Sequence, residues 1–471
     1  DESAVIGVKG LKLSAKALLP DTEMGKLIFA IVTDAAVDVQ TRSARLTGTK
    51  LGMLGLVMAG TFDVENLFSV PTIRGPVKVK SFSAEKLAQH LKFDMPKLAN
   101  PQSLKKLTLA ASFRTDFDGV YLNEISAKVD ETRLSGFVHV AGMQQPQVRY
   151  KLKADKLNLS DYLIANQAKE QIQSRLPLGF IRTAALDGVL DVETVLLDGI
   201  ELSEVQITTN SSGGIFTANP VTMRLHGGQV DAAVRLDARE APAAMLTAEV
   251  KQVDAKNSIN PLLKKIIGDE SPKLDGRVDA DIDLSANGHR LSAMKEAAQG
   301  TIKLSMKSGA IQGIDFNYSS QSVVIDYAER NDFRVSRTFN DEYVPDSITE
   351  FDSLSATFKL TRGRLVNKDL LMVSDLVNVT GSGHIDLNNA RVDYRPEIDM
   401  HVNKTGNVRD KLRDHPMMYH AQGSLGDQRY QYDSKRYDLH MGRLLIQEAK
   451  AHRNRHINSE SDNSWQNALS R

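Results

Sequence analysis

Arg277-Val278-Asp279-Ala280-Asp281-Ile282-Asp283-Leu284-Ser285-Ala286 alternates polar and apolar residues without a break. Side chains on a strand point to opposite faces with a period of two, so Val278, Ala280, Ile282, Leu284 and Ala286 share one face and the aspartates share the other. One side of this strand is dry and the other wet. The same phase recurs at Val148, Tyr150, Leu152 and Ala154; at Val230, Ala232, Val234 and Leu236; and at Ala244, Leu246, Ala248 and Val250. Leu107, Leu109, Ala111 and Phe113 repeat it, as do Ile302, Leu304 and Met306. Strands buried on both faces read as continuous apolar runs, so these segments predict an antiparallel sheet covered on one side.

Turn signals punctuate the strands. Asp118-Gly119, Asp187-Gly188, Asp198-Gly199, Gly213-Gly214, Gly227-Gly228, Asp275-Gly276 and Arg362-Gly363-Arg364, often roughly ten residues apart, predict meandering hairpins. Helices are few and short. Residues 260–268 carry Asn260 as a cap, Pro261 in the first turn and Gly268 as a stop, and further helices are expected over 83–91, 160–175, 291–298 and 439–452. Residues 456–471 are polar without period and read as a disordered tail. Segments 60–91, 136–163 and 228–263 can be laid over one another as strand, turn, longer strand and short helix, and 383–400 keeps the two strands.

Composition excludes several classes of function. Lys and Arg total 59 and Asp and Glu total 59, so no global field favours nucleic acid, and none is expected as a partner. Cysteine is absent, which removes disulfides and thiolate chemistry. No run approaches the ~18 apolar residues of a membrane span. The chain starts at Asp1 and enters strand-like sequence at once, so an upstream segment is expected to have been removed. The 11 histidines are scattered, and neither a zinc-protease, a nucleophile-elbow nor a phosphate-loop motif occurs. Asp279, Asp281 and Asp283 lack the central glycine and distal glutamate of a calcium loop and read as a solvated strand face. No catalytic residue, metal or cofactor is assigned, and the chain is read as a non-enzyme.

A sheet with one apolar face must bury it in a sandwich, a closed barrel or a curved groove around a ligand. Roughly 25 to 30 strands in one sheet would extend ~120 to 145 Å, and open sheets of that size curl or split unless something fills the concavity. Aromatic residues make up only 6% of the chain, so the inward positions form a smooth aliphatic lining. Such a lining suits acyl chains. Exposing lipid to water costs ~0.8 kcal/mol per methylene, or roughly 25 kcal/mol for two chains of about 16 carbons. The positions placed in the groove by strand phase are Val148, Tyr150, Leu152, Val230, Val234, Leu236, Leu246, Val250, Val278, Ile282, Leu284, Ile302, Leu304, Phe358 and Leu360. A dry packed core predicts the same residues inside; only lipid occupancy separates the two.

QGTIKLSMKSGAIQGIDF at 299–316 resembles the hallmark segment of the AsmA family. FDSLSATFKLTRGRL at 351–365 and DLLMVSDLVNVTGSGHIDLNNARVDY at 369–394 resemble its next block in order, spacing and glycine positions. Segments ending at Asp161-Tyr162-Leu163 and Pro261-Leu262-Leu263 are similar to its middle region, and the departure comes at 415–423 and the polar stretch beyond. The resemblance implies a periplasmic β-groove in a Gram-negative cell, an inner-membrane anchor upstream, contact with the outer membrane, and phospholipid movement between the two membranes in outer-membrane lipid homeostasis.

The resulting expectation is a mainly β protein: an elongated, curved antiparallel sheet forming an open hydrophobic groove from repeated strand-strand-helix units, with a few short helices. Residues 1–175 and 176–298 are assigned to groove repeats, 299–430 to an AsmA-like block, and 431–471 to a basic helix and tail. Lys435, Arg436, Arg443, Lys450, Arg453 and Arg455 make that last region basic, suited either to solvent or to anionic head groups. The alternative function is a scaffold that assists outer-membrane protein assembly by strand addition at a sheet edge.

Overall fold

The computed structural model describes residues 5–19, 25–90, 98–142, 146–163, 178–183, 185–268, 271–314, 347–375, 377–400 and 416–435, with one to three residues each at 95, 316, 330, 437–439 and 442–443. They fall into two compact units, Asp1–Lys251 with Asp283–Ala298, and Gln252–Ile282 with Gln299–Arg471.

In the first unit, alternation and turn chemistry lay the chain out as a meander. Strands β1 (Val5–Leu19), β2 (Gly25–Asp38), β3 (Ser43–Met53), β4 (Leu56–Glu65) and β5 (Thr72–Phe82) each pair antiparallel with the next. So do β6 (Leu107–Thr115), β7 (Gly119–Val129), β8 (Thr132–Ala141) and β9 (Gln147–Asn158), with β5 against β6. A second meander runs through β10 (Ala185–Leu197), β11 (Ile200–Ser212), β12 (Ile215–Leu225), β13 (Gly228–Asp237) and β14 (Ala243–Asp254).

The two meanders join through a parallel pair, β9 with β10. The sheet is therefore mixed, not wholly antiparallel as alternation implied. A parallel pair needs a crossover long enough to return the chain to its starting end, and residues 159–184 supply one. Two turn assignments also fail. Asp187-Gly188 lies inside β10, and Asp275-Gly276 lies inside β15 (Lys273–Asn287). Both glycines serve close approach: a Cβ on Gly188 would stand 2.6 Å from the Tyr150 ring, and one on Gly276 would stand 2.8 Å from Met306 Cε.

Register shifts recur along the first unit. Gly10, Gly48, Glu124 and Glu204 take φ of 62°, 59°, 50° and 51° where the β1–β2, β3–β4, β7–β8 and β11–β12 ladders slip. Each such bulge bends its strand and increases the local twist.

The second unit pairs β16 (Gln299–Met306) with β19 (Ser353–Thr361), then continues antiparallel through β20 (Arg364–Val373), β21 (Val377–Asp386), β22 (Arg391–Met400), β23 (Met417–Ser424) and β24 (Asp427–Tyr432). Strands β17 (Gly309–Gln312) and β18 (Ile348–Phe351) leave that order and form a small ladder with β15. Gly309 begins β17 because a Cβ there would meet the Asp275 carbonyl at 2.5 Å.

The described helices are short: α1 (Ala84–His90), α2 (Gly179–Thr183), α3 (Ala255–Ser258), α4 (Asn260–Ile267) and α5 (Leu291–Ala297), with a 3-10 turn at Leu159–Tyr162. Expected helices over 83–91, 260–268 and 291–298 are present as α1, α4 and α5. Asn260 does not cap α4. Its side chain instead exchanges hydrogen bonds of 2.9 and 2.8 Å with the backbone of Leu274. The expected helix over 160–175 beyond the 3-10 turn, most of that over 439–452, and the tail over 456–471 lie outside the described residues. Among the described residues no helix is long and apolar enough to cross a membrane.

Candidate lipid-binding face

Cross-strand partners in register share a face, so pairing converts strand phase into rows of side chains that run across the first unit. One row links Phe113, Leu122, Val138, Tyr150, Gly188, Thr209, Ala218, Val234 and Leu246 over nine consecutive strands. Beside it runs Ile125, Gly136, Leu152, Leu190, Ile207, Val221, Ala232 and Ala248. A third row passes from Ile6 on β1 to Ala244 on β14 without interruption, through Val64, Ile73, Val140, Val148 and Leu236. Val230 and Val250 pair with each other beyond these rows. The reverse face is polar: Ser126, Ser135, Lys153, Asp191 and Gln206 lie opposite one another across β7 to β11.

Burial along the apolar rows is graded. Ile125, Val192 and Val205 are almost covered by their neighbours. The positions placed by strand phase in this unit, Val148, Tyr150, Leu152, Val230, Val234, Leu236, Leu246, Val250 and Leu284, are all half-buried. The described strands β1 to β14 of the unit belong to one hydrogen-bonded sheet, and its helices have five to seven residues each. A packed core would bury such residues almost completely. Phe113, Leu122, Val138 and Leu152 pack against the buried cluster of Phe62, Val77, Ala111 and Ile125, and Leu190 and Ile207 against that of Ala154, Val192, Val195 and Val205, yet all six stay only partly covered.

Tyr150 has a specific arrangement. Its ring lies against Gly188 on the parallel neighbour, and its hydroxyl bonds the Thr209 hydroxyl one strand further on at 2.6 Å. The phenol is thus satisfied within the face. Tyr394 in the second unit repeats the device, lying against Gly381 and Gly383 and donating to Asn367 Oδ1 at 2.6 Å. Burial pushes the Tyr394 phenol above the ordinary tyrosine range.

The second unit divides its apolar face in two. Met306, Leu354, Met372, Val379, Ile398 and Met417 form a row that packs with Phe351, Ile311 and Val278 into a closed core. Val278, 4% exposed, belongs to that core and not to an open surface. Leu304 packs against its edge. Ile302 and Phe358 are direct partners, Leu360 faces Gly300 and Leu365, and Ile282, Ile302, Phe358 and Leu360 remain half-buried.

Asp279 has a structural partner: it accepts from the backbone and side-chain amides of Gln252 at 2.8 and 3.0 Å. Among the described residues, no three His, Asp or Glu side chains converge as a metal site. Sequence reasoning missed Leu122, Ile125, Val138, Leu190, Val192, Val205 and Ile207. Their strands carry bulges or an internal glycine, which reset the alternation, so the apolar residues around Leu190 and Val192 read as an irregular run until the register is known.

A model of the AsmA family matches residues 76–370. Protein AsmA of Escherichia coli (strain K12) is 22% identical over 362 residues, a match that covers 71% of this chain. The chain spans 55% of that relative's length. No solved structure matches. With the family model covering more than half of its 471 residues, the chain belongs to the AsmA family.

Proposed function

We propose that this chain is a non-enzymatic lipid-binding conduit: its apolar face shelters acyl chains and moves phospholipid between the inner and outer membranes, supporting outer-membrane lipid homeostasis. The observation that carries this reading is the set of largely apolar rows, eight to fourteen strands wide, many of whose side chains are left half-buried by everything described around them. An acyl chain laid along such rows is removed from water at every step. The rows make no polar demand on the ligand, so selectivity among acyl chains is broad. Bulges at successive hairpins supply the bending that turns a flat face into a groove. Membership of a family linked to envelope biogenesis supports a periplasmic location in a Gram-negative cell, with an inner-membrane anchor and a contact at the outer membrane.

The segments read as repeats hold β4, β5 and α1; β8, β9 and the 3-10 turn; and β13, β14, α3 and α4. Each unit of this kind extends the face by two strands and breaks off with a helix, which makes groove length a matter of repeat number.

The test is direct. The chain is purified, washed free of detergent, extracted into organic solvent and the extract analysed by mass spectrometry. Phospholipid at about one or more per chain, lost in Leu284→Asp and Ile302→Asp while the circular dichroism stays β, is the expected result. A folded, monodisperse, lipid-free protein would overturn it. That outcome would favour the scaffold alternative, which has its own observation: among the described residues β1 pairs with β2 alone and exposes Val5, Ile6 and Val8. Under that reading single prolines in β1 abolish function and substitutions on the apolar rows are silent.

A further inference from the structure

At one end of the first unit the hairpin β11–β12, the loop β13–β14, helix α2 and the segment entering α5 border an open cavity of about 950 Å³. Arg182, Arg239, His289 and Arg290 line it, against one carboxylate, Glu240. Its walls are tied together. Ala238 N–H donates to the Gly214 carbonyl at 2.8 Å, and Gly288 N–H to the Pro242 carbonyl at 2.9 Å. Arg182 Nε donates to the Ala238 carbonyl at 2.6 Å, which pins its guanidinium at the wall. Arg239 forks onto Asp237, with Nε at 2.9 Å from Oδ1 and Nη2 at 2.6 Å from Oδ2. Gly214, at φ 80°, lets the Arg239 stem approach to where a Cβ would stand 3.0 Å away. The Arg290 side chain is exposed and has no hydrogen bond or ion pair among the described residues.

The cavity adjoins the apolar face. Gly214, Ala238 and Pro242, all buried, stand two residues along the strands from Phe216, Leu236 and Ala244, which belong to the row reaching from β1 to β14. A molecule with apolar chains on that row and an anion at its end would meet both surfaces at once. Planar guanidinium groups suit phosphate oxygens, because each offers parallel N–H donors in a fixed fork.

We propose that this cavity receives the phosphate of a phospholipid head group, with Arg290 as the unengaged donor and Arg182 and Arg239 as pre-positioned walls; the assignment rests on the acyl-binding role of the adjoining face. The experiment is calorimetric titration of the delipidated full chain with three probes below their aggregation limits: dihexanoylphosphatidylglycerol, dihexanoylglycerol and glycerol 3-phosphate. The phosphatidylglycerol binds tightest in the wild type, and Arg290→Gln weakens it about tenfold, the loss of one charge-assisted contact, while dihexanoylglycerol is unaffected. Arg239→Gln, on a different loop, gives the same split. Equal affinity for phosphatidylglycerol and dihexanoylglycerol, or indifference of both variants, would overturn the head-group site and leave the apolar face standing. Glycerol 3-phosphate binding as tightly as the phospholipid would reassign the cavity to a free anion. Failure of dihexanoylglycerol itself to bind the wild type would strike the conduit reading, and the head-group assignment with it.

Discussion

Leu190 and Val189 are adjacent on β10 and point to opposite faces, which makes aspartate at each a paired experiment. Leu190 sits in register between Leu152 and Ile207 on the apolar side. Val189 sits between Lys151 and Thr208 on the polar side. Leu190 is half-buried, so Leu190→Asp loses about half of the ~1.5–3 kcal/mol that full burial of such a side chain contributes, and the carboxylate keeps its water while the face is empty. Occupancy is another matter. A hydrated carboxylate in the row holds an acyl chain away over about four methylenes, at ~0.8 kcal/mol each, which amounts to ~3 kcal/mol. That is a weakening of roughly 150-fold. Val189→Asp places its charge beside Lys151 and leaves the apolar rows untouched. The assay is lipid recovered per chain by mass spectrometry, with urea unfolding of each variant as the check on folding. The expected result is loss of lipid in Leu190→Asp alone, with both variants folded. Wild-type lipid content in Leu190→Asp, or an equal loss in Val189→Asp, would refute the claim that the apolar rows hold the ligand.

Two further outcomes follow from geometry. In Gly188→Ala the new Cβ stands 2.6 Å from both the ring and the carbonyl oxygen of Tyr150; the backbone cannot yield within a paired strand, so unfolding free energy falls by about 1–3 kcal/mol in urea titration, and an unchanged midpoint would show that Tyr150 does not lie there. Hydrogen bonds from Arg239 hold the Asp237 carboxyl at about 2, below its usual range, so the pair contributes stability above the unfolded value of ~3.9 that is lost as pH falls through about 2. Arg239→Gln should return the Asp237 titration to the ordinary carboxylate range by NMR, and a titration that stays depressed would refute the pairing.

Strand content, the dry and wet faces and the family were legible because each is written locally. Alternation at Val148–Ala154, Ala244–Val250 and Val278–Ala286 needs only neighbouring residues, and the observed burial follows it through the first two stretches and in the third as far as Leu284. The glycine-rich block at 299–316 and the strands from 351 to 370 carried the family in their order and spacing, and lie inside the span that the family model matches. Reading failed where a residue's meaning depends on a distant strand. Gly188 looks like a turn until Tyr150 is known to cross it, and Asn260 looks like a cap until Leu274 is brought beside it.

The amino-acid sequence by itself determined which residues form strands and which side of each is apolar, since a period of two follows from backbone geometry alone. Tertiary structure decided how those sides are joined. Pairing register aligned the apolar positions of β1 to β14 into continuous rows, the crossover over 159–184 turned β9 and β10 parallel, and long-range packing took Val278 into a closed core while leaving Val148, Leu236 and Leu246 half-covered. Alternation is identical for a side chain under a second layer and for one facing an open surface; only the presence or absence of something packed above it distinguishes them.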